Sequence, residues 1–319
     1  MKKNLDGKKI VLFGGNGFVG RHLIQKLSKY SCKILVVTRN ENQEKNLKIL
    51  GGLGQISVVL MDDYSLANIE KILKNAHVVI NLVGILYESK RQSFAFVHEE
   101  IPNLISKAAK NVGVKNLLHF SALGVEKIRN SEYATSKRNG EKIVIENFGN
   151  PILLKPSVIF GNEDNFINLF SSISKISPLL PIFGAPIFDR SKIFSKDFLF
   201  KSSVKFQPIY VGDLAEFTVN IIDNKYSSFD LAGPTVYSMD ELIRLILSIK
   251  NTFRFCIPVP LRMASFLGFI LEKLPKPLLT RDQVKLMRFE NISARGLKNL
   301  KKIIRNPKSM EIILPTYLK

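Results

Sequence analysis

Cysteine is scarce in this 319-residue chain. Only Cys32 and Cys256 are present, far apart, so no disulfide framework is implied and a reducing cytosol fits. No stretch reaches the roughly 20 apolar residues that a membrane span requires; the longest candidates, near 178–188 and 263–271, are short and interrupted. Residues 1–7 contain no apolar signal core, so neither secretion nor an organelle presequence is expected. No internal repeat is present. Acids are also in short supply, 27 Asp and Glu against 47 Lys and Arg, for a net charge of +20. Two accounts stay open: codon bias, since Lys outnumbers Arg 34 to 13, or a surface that meets anionic lipid or an acidic partner. Nucleic acid is not an expected partner, because the chain has neither a recognised binding motif nor a basic helix with interleaved aromatics.

What the chain does contain is 45% hydrophobic residues, enough for one large core and a smaller lobe. Its most informative stretch is Lys8 to Gly20. The apolar run Ile10–Phe13 reads as a buried strand that breaks into Gly14-x-x-Gly17-x-x-Gly20, and helical spacing follows through Leu23, Ile24 and Leu27. A strand, glycine turn and helix in this order form a dinucleotide cradle. Gly14 permits the tight turn, Gly17 lets the backbone approach a pyrophosphate, and Gly20 lets the helix pack close to the strand. The free N–H groups at the helix start then face the anion.

Further strands read at 33–38, 56–61, 77–83, 115–121 and 151–155, after a first at 9–14. Helices read at about 18–30, 65–74, 93–111 and 131–147. Continuous apolar strands, as opposed to alternating ones, imply a sheet covered on both faces and therefore parallel. The expected fold class is α/β, a doubly wound Rossmann sheet. Beyond residue 160 prolines punctuate shorter elements, including helices near 238–249 and 261–273. The division expected is a nucleotide-binding core over 1–160 and a smaller mixed lobe over 161–319, interleaved with the core.

Strand two ends at Thr38-Arg39 with no acid at 37–40. A carboxylate there would suit the ribose hydroxyls of NAD; a cation suits the 2′-phosphate of NADP, so NADP is favoured. Asp62 closes the third strand and could accept from the adenine amino group, or could serve as a helix N-terminal acid next to Asp63. Tyr133-x-x-x-Lys137 has helical spacing, which puts ammonium beside phenol. Bringing a tyrosine from about 10 to about 7 takes ~4 kcal/mol of preferential phenolate stabilisation, for which a cationic lysine is a suitable source. Ser121, at a strand end, could hydrogen-bond a substrate oxygen.

With these residues the chain resembles an extended or atypical short-chain dehydrogenase/reductase. More narrowly, it is similar to the accessory-subunit family of respiratory complex I that binds NADPH. The narrower likeness rests on Ile80–Gly84, Lys155–Asp164, Gln207–Asp213, Leu231–Tyr237, Leu278–Val284 and Ile312–Leu318. The resemblance implies tightly held NADPH with a structural role, complex I subunits as partners, and a peripheral position on the inner face of a bacterial inner membrane. It implies that Gly14, Gly17 and Gly20 hold the pyrophosphate, that Asn16 and Phe18 of the same turn also bind the cofactor, and that Arg39 holds the 2′-phosphate. Asp62 would sit by the adenine, Gly84 beneath the nucleotide, Tyr133 and Lys137 at the nicotinamide ribose, and Pro156 and Ser157 beside the nicotinamide. The alternative is a free NADP-dependent oxidoreductase, epimerase or dehydratase that works through Ser121, Tyr133 and Lys137.

Two departures from the family pattern stand out. His98 occupies the slot of an asparagine that organises active-site water in catalytic members; it reads as a replacement proton carrier or as a satisfied helix residue. Residues 184–206 are longer than expected and interleave Phe188, Phe194, Phe198, Phe200 and Phe206 with cations. They read as a membrane or docking surface, or as a hairpin covering the core edge. The basic run 295–308 reads by itself as a solvated basic face; together with the insertion it could hold the protein at an anionic membrane surface.

Overall fold

The computed structural model describes residues 5–39, 44–90, 92–184, 187–188, 200–225 and 227–318. Seven parallel strands form the central sheet. Six come from the first half: β1 (Lys9–Phe13), β2 (Lys33–Thr38), β3 (Ile56–Leu60), β4 (Val78–Asn81), β5 (Asn116–Phe120) and β6 (Ile152–Pro156). The seventh, Ser227–Leu231, pairs with the outer edge of β6, so the order runs from it through β6, β5, β4, β1 and β2 to β3. The direction of winding reverses between β1 and β4, where a doubly wound sheet opens a crevice at its strand ends.

Alternate residues of the strands feed two cores. Leu12, Val36, Ile80, Leu118 and Leu154 pack with Leu23 and Leu27 of α1 (Phe18–Leu27) and with Phe217 of the helix Val211–Ile221. Val11, Phe13, Val79 and Leu117 face Ile69 of α3 (Leu66–Leu73), Ile105 of α4 (Ile101–Asn111) and Val144 of α5 (Glu132–Phe148). A short helix, α2 (Glu44–Lys48), precedes β3. Two-sided burial accounts for the continuous apolar strands. The expected helix at 93–111 opens instead with a π-helical turn, Phe96–Glu100, before α4. Gly140 of α5 explains the space for it: a methyl group there would collide with the His98 carbonyl.

The smaller lobe has its own core around Phe160, Phe170, Ile182, Leu242, Ile246 and Leu314. Phe206, for which the sequence left open an exposed aromatic surface or a hairpin covering the core edge, is buried in that core, as the second reading has it. The ends of the same insertion pair antiparallel as Ile187–Phe188 and Phe200–Lys201. Phe194, Phe198, Arg190, Lys192 and Lys196 lie outside the described residues. Among the described residues, no helix is long and apolar enough to cross a membrane.

Candidate nucleotide and active site

The glycine turn lies at the carboxyl end of β1, next to the reversal of the sheet. Gly14 has φ +74°, the left-handed region that glycine tolerates, and its N–H donates to the Val37 carbonyl at 3.3 Å. A methyl group on Gly20 would lie 2.4 Å from the Gly15 oxygen, so Gly20 brings α1 against the turn itself more than against the strand. Gly15, not singled out in the sequence, is equally constrained, with Val36 2.9 Å from where its methyl would be. No side chain caps α1 at Gly17, which leaves the helix start open toward an anion. Asn16 is half-buried in the turn. Phe18 begins α1 with its ring edge-on to His22 at 5.6 Å. One residue past Gly20, Arg21 pairs with Glu163 at 2.5 Å and ties the cradle to the segment after Phe160.

Arg39 and Asp62 are both exposed at the carboxyl ends of β2 and β3. The Arg39 guanidinium faces the side-chain amide of Gln92. Gly84 lies beyond β4, where a methyl group would stand 3.1 Å from Lys137 Nζ and 3.7 Å from His98 Nε2. Pro156 ends β6, and the buried Ser157 donates its hydroxyl to the Gln207 carbonyl at 2.5 Å.

Tyr133 and Lys137 occupy successive turns of α5. The Tyr133 ring meets Phe94 and His98 edge-on, at 5.9 and 5.4 Å, and burial pushes its phenol up to about 12. Lys137 donates to the Phe120 carbonyl at 3.3 Å; burial lowers its ammonium to about 8, against a smaller opposing pull from Glu141. Ser121 does not face open space: its hydroxyl donates to Glu141, whose other oxygen holds Lys155 Nζ at 2.6 Å.

His98 is a satisfied histidine. The Ile85 N–H donates to its Nε2 at 3.1 Å, which leaves the proton on Nδ1 to be donated to Ser136 Oγ at 2.9 Å; Ser136 in turn donates to the Tyr133 carbonyl. Burial, with Lys137 nearby, drops its pKa to about 2, so it is neutral. His119 stands beside it, its Nδ1 accepting from Asn81 at 3.2 Å and its buried Nε2 without a partner; burial lowers it to about 3.

Glu141, Asn81, His119 and Asp282 went unnoticed in the sequence. Glu141 had a signal, since 133, 137 and 141 share one helical face. Asp282 lies in a segment that carried the family likeness, yet spacing could not reveal its place at the start of α5.

The profile described as the NmrA-like family matches residues 6–246. The chain is 28% identical over 316 residues to the mouse "NADH dehydrogenase [ubiquinone] 1 alpha subcomplex subunit 9, mitochondrial", covering 98% of this chain and 80% of that protein. It is 25% identical over 288 residues to the Neurospora crassa "NADH-ubiquinone oxidoreductase 40 kDa subunit, mitochondrial", with 89% and 72% covered. A solved structure of UDP-glucuronic acid 4-epimerase from Bacillus cereus, in complex with UDP-glucuronic acid and NAD, superposes with a TM-score of 0.70 at 16% identity, covering 97% of this chain and 98% of that one.

Proposed function

We propose that this chain, which belongs to the NmrA-like family, is an accessory subunit of NADH:ubiquinone oxidoreductase that holds a nicotinamide dinucleotide without turning it over. The relatives named as subunits of that enzyme align with most of the chain, C-terminal lobe included. The observation that carries the non-catalytic role is the Ser121–Glu141 hydrogen bond. A hydroxyl that orients a substrate oxygen must donate to it, and this one donates into a buried carboxylate.

The residues present fit the cofactor. The cradle offers uncapped N–H groups to a pyrophosphate, and glycine at 84 keeps open the space in front of Lys137. When bound, a nicotinamide supplies hydride chemistry; here Tyr133 and Lys137 serve to grip its ribose. Arg39, exposed at the end of β2 with no acid at 37–40, favours NADP over NAD. Arg295, Lys298, Lys301, Lys302, Arg305 and Lys308 are all exposed and, with 184–206, supply cations for the inner face of a bacterial inner membrane.

Gentle solubilisation of native membranes tests the reading. Other complex I subunits should co-purify, with NADPH that survives dialysis. A free protein whose nucleotide exchanges readily would overturn it. That outcome would favour the alternative, an NADP-dependent reductase, epimerase or dehydratase, for which the opening at Gly84 onto Lys137 beside Tyr133 is the supporting feature. Tyr133→Phe would then abolish turnover and leave NADPH binding intact.

A further inference from the structure

The helix Leu261–Leu271 has two unlike faces. Ala264 and Gly268 are buried, and Gly268 packs so closely that a methyl group there would stand 2.9 Å from the Arg281 nitrogen. The other face carries Met263, Phe266 and Ile270, at spacings of three and four residues, exposed by 56%, 63% and 49%. Leu274 continues the stripe at 46%. Beside it, the Phe269 ring lies under two cations, Lys273 Nζ at 4.7 Å and Arg281 at 5.1 Å. Single exposed apolar residues are ordinary on a protein surface; a run of them along one helical face marks a contact.

The surrounding charge selects what makes that contact. From 254 to 285 the chain places six Lys and Arg against two acids, Glu272 and Asp282. Both acids are occupied: Glu272 pairs with Arg281 at 2.7 Å, and Asp282 accepts from Ser131 at 2.7 Å. Aromatic and aliphatic side chains at the centre, with a surplus of cations around them, match the headgroup boundary of an anionic bilayer.

We propose that this face is a membrane-docking surface, with Phe266 and Ile270 inserted at the interface of an anionic bilayer and Lys273 and Arg262 among its headgroups. The inference goes beyond the accessory-subunit reading, because it holds with or without the complex. It also names a surface other than the basic run 295–308.

Flotation of the full chain with vesicles tests it. The wild type should float with mixed phosphatidylglycerol–phosphatidylcholine vesicles and stay behind with phosphatidylcholine alone. The double variant Phe266→Ser/Ile270→Ser, altered only at exposed positions, should lose binding by about tenfold or more while its melting curve stays put. Lys298→Glu/Lys301→Glu should weaken binding less than the serine variant does. The proposal is overturned if the wild type ignores anionic vesicles, if the serine variant floats as well as the wild type, or if only the lysine variant loses binding. A concentration-dependent dimer that the serine variant abolishes would also overturn it, by assigning the face to a second copy. Co-purification of complex I with the serine variant, measured in parallel, separates failure here from failure of the subunit assignment.

Discussion

Asp282 accepts the Ser131 hydroxyl at 2.7 Å, a bond between residues 151 apart in sequence. The same carboxylate receives the backbone N–H groups of Glu132 and Tyr133, at 3.0 and 3.1 Å. A side chain of the smaller lobe therefore completes the start of α5, and it does so at the residue expected to meet the nucleotide. Leu286, four positions later, packs against the cluster of Val125, Ile128 and Ala134 with Tyr133.

Asp282→Ala should remove this cap and cost about 1–2 kcal/mol, the range for a lost helix cap with its N–H groups left unpaired. Urea denaturation measures the cost. Asp282→Asn, which keeps an acceptor, should recover part of it.

Glu141 and Lys155 form an ion pair whose side chains are only 10% and 15% exposed. Glu141→Leu should cost about 3 kcal/mol, because Lys155 is left charged and unpaired in the interior. Replacing both, Glu141→Leu/Lys155→Met, should restore most of the loss. A double-mutant cycle in urea checks this; additive costs would contradict the coupling.

The two buried histidines set an acid limit. Their folded values, about 2 for His98 and about 3 for His119, lie below the unfolded 6.5, so the unfolded chain binds more protons between those values. Their stabilising effect is full above about 6.5 and is lost as pH falls. Below that value stability should drop by about 1.4 kcal/mol per pH unit for each histidine. Urea midpoints measured at successively lower pH should show this slope, and His98→Asn should roughly halve it.

Lys137 is charged below about 8 and neutral above it. If its ammonium grips the nicotinamide ribose, NADPH affinity should weaken as pH rises through that value. Calorimetric titrations on both sides of it would show the change. Lys137→Met should bind more weakly and should lack the pH dependence.

The core of the fold was legible because burial on both faces leaves a plain trace in sequence. Ile10–Phe13 and Val78–Ile80 are uninterrupted apolar runs, and the glycine turn needs only neighbours in the chain to be recognised. Ser227–Leu231 was missed for the converse reason. As an edge strand paired only with β6, it is half-buried over four of its five residues, and Ser-Ser-Phe-Asp carries no apolar run. The π-helical turn at 96–100 depends on the approach of Gly140 from another helix, which local spacing does not encode. In the site, Tyr133 and Lys137 were visible from their spacing, whereas the partner that turns Ser121 away from open space is twenty residues downstream on a helix packed across the strand end.

That late strand sets an order on synthesis. The β6 edge is finished at Pro156, yet the segment that covers it arrives only at Ser227–Leu231. A nascent chain must extend through much of the smaller lobe while an apolar parallel strand keeps an open ladder, the condition under which strands pair wrongly or aggregate. Residues 1–160 are therefore not expected to fold on their own. Truncation at residue 160 should yield an aggregating fragment, and extension past Leu231 is the minimum that covers the β6 edge.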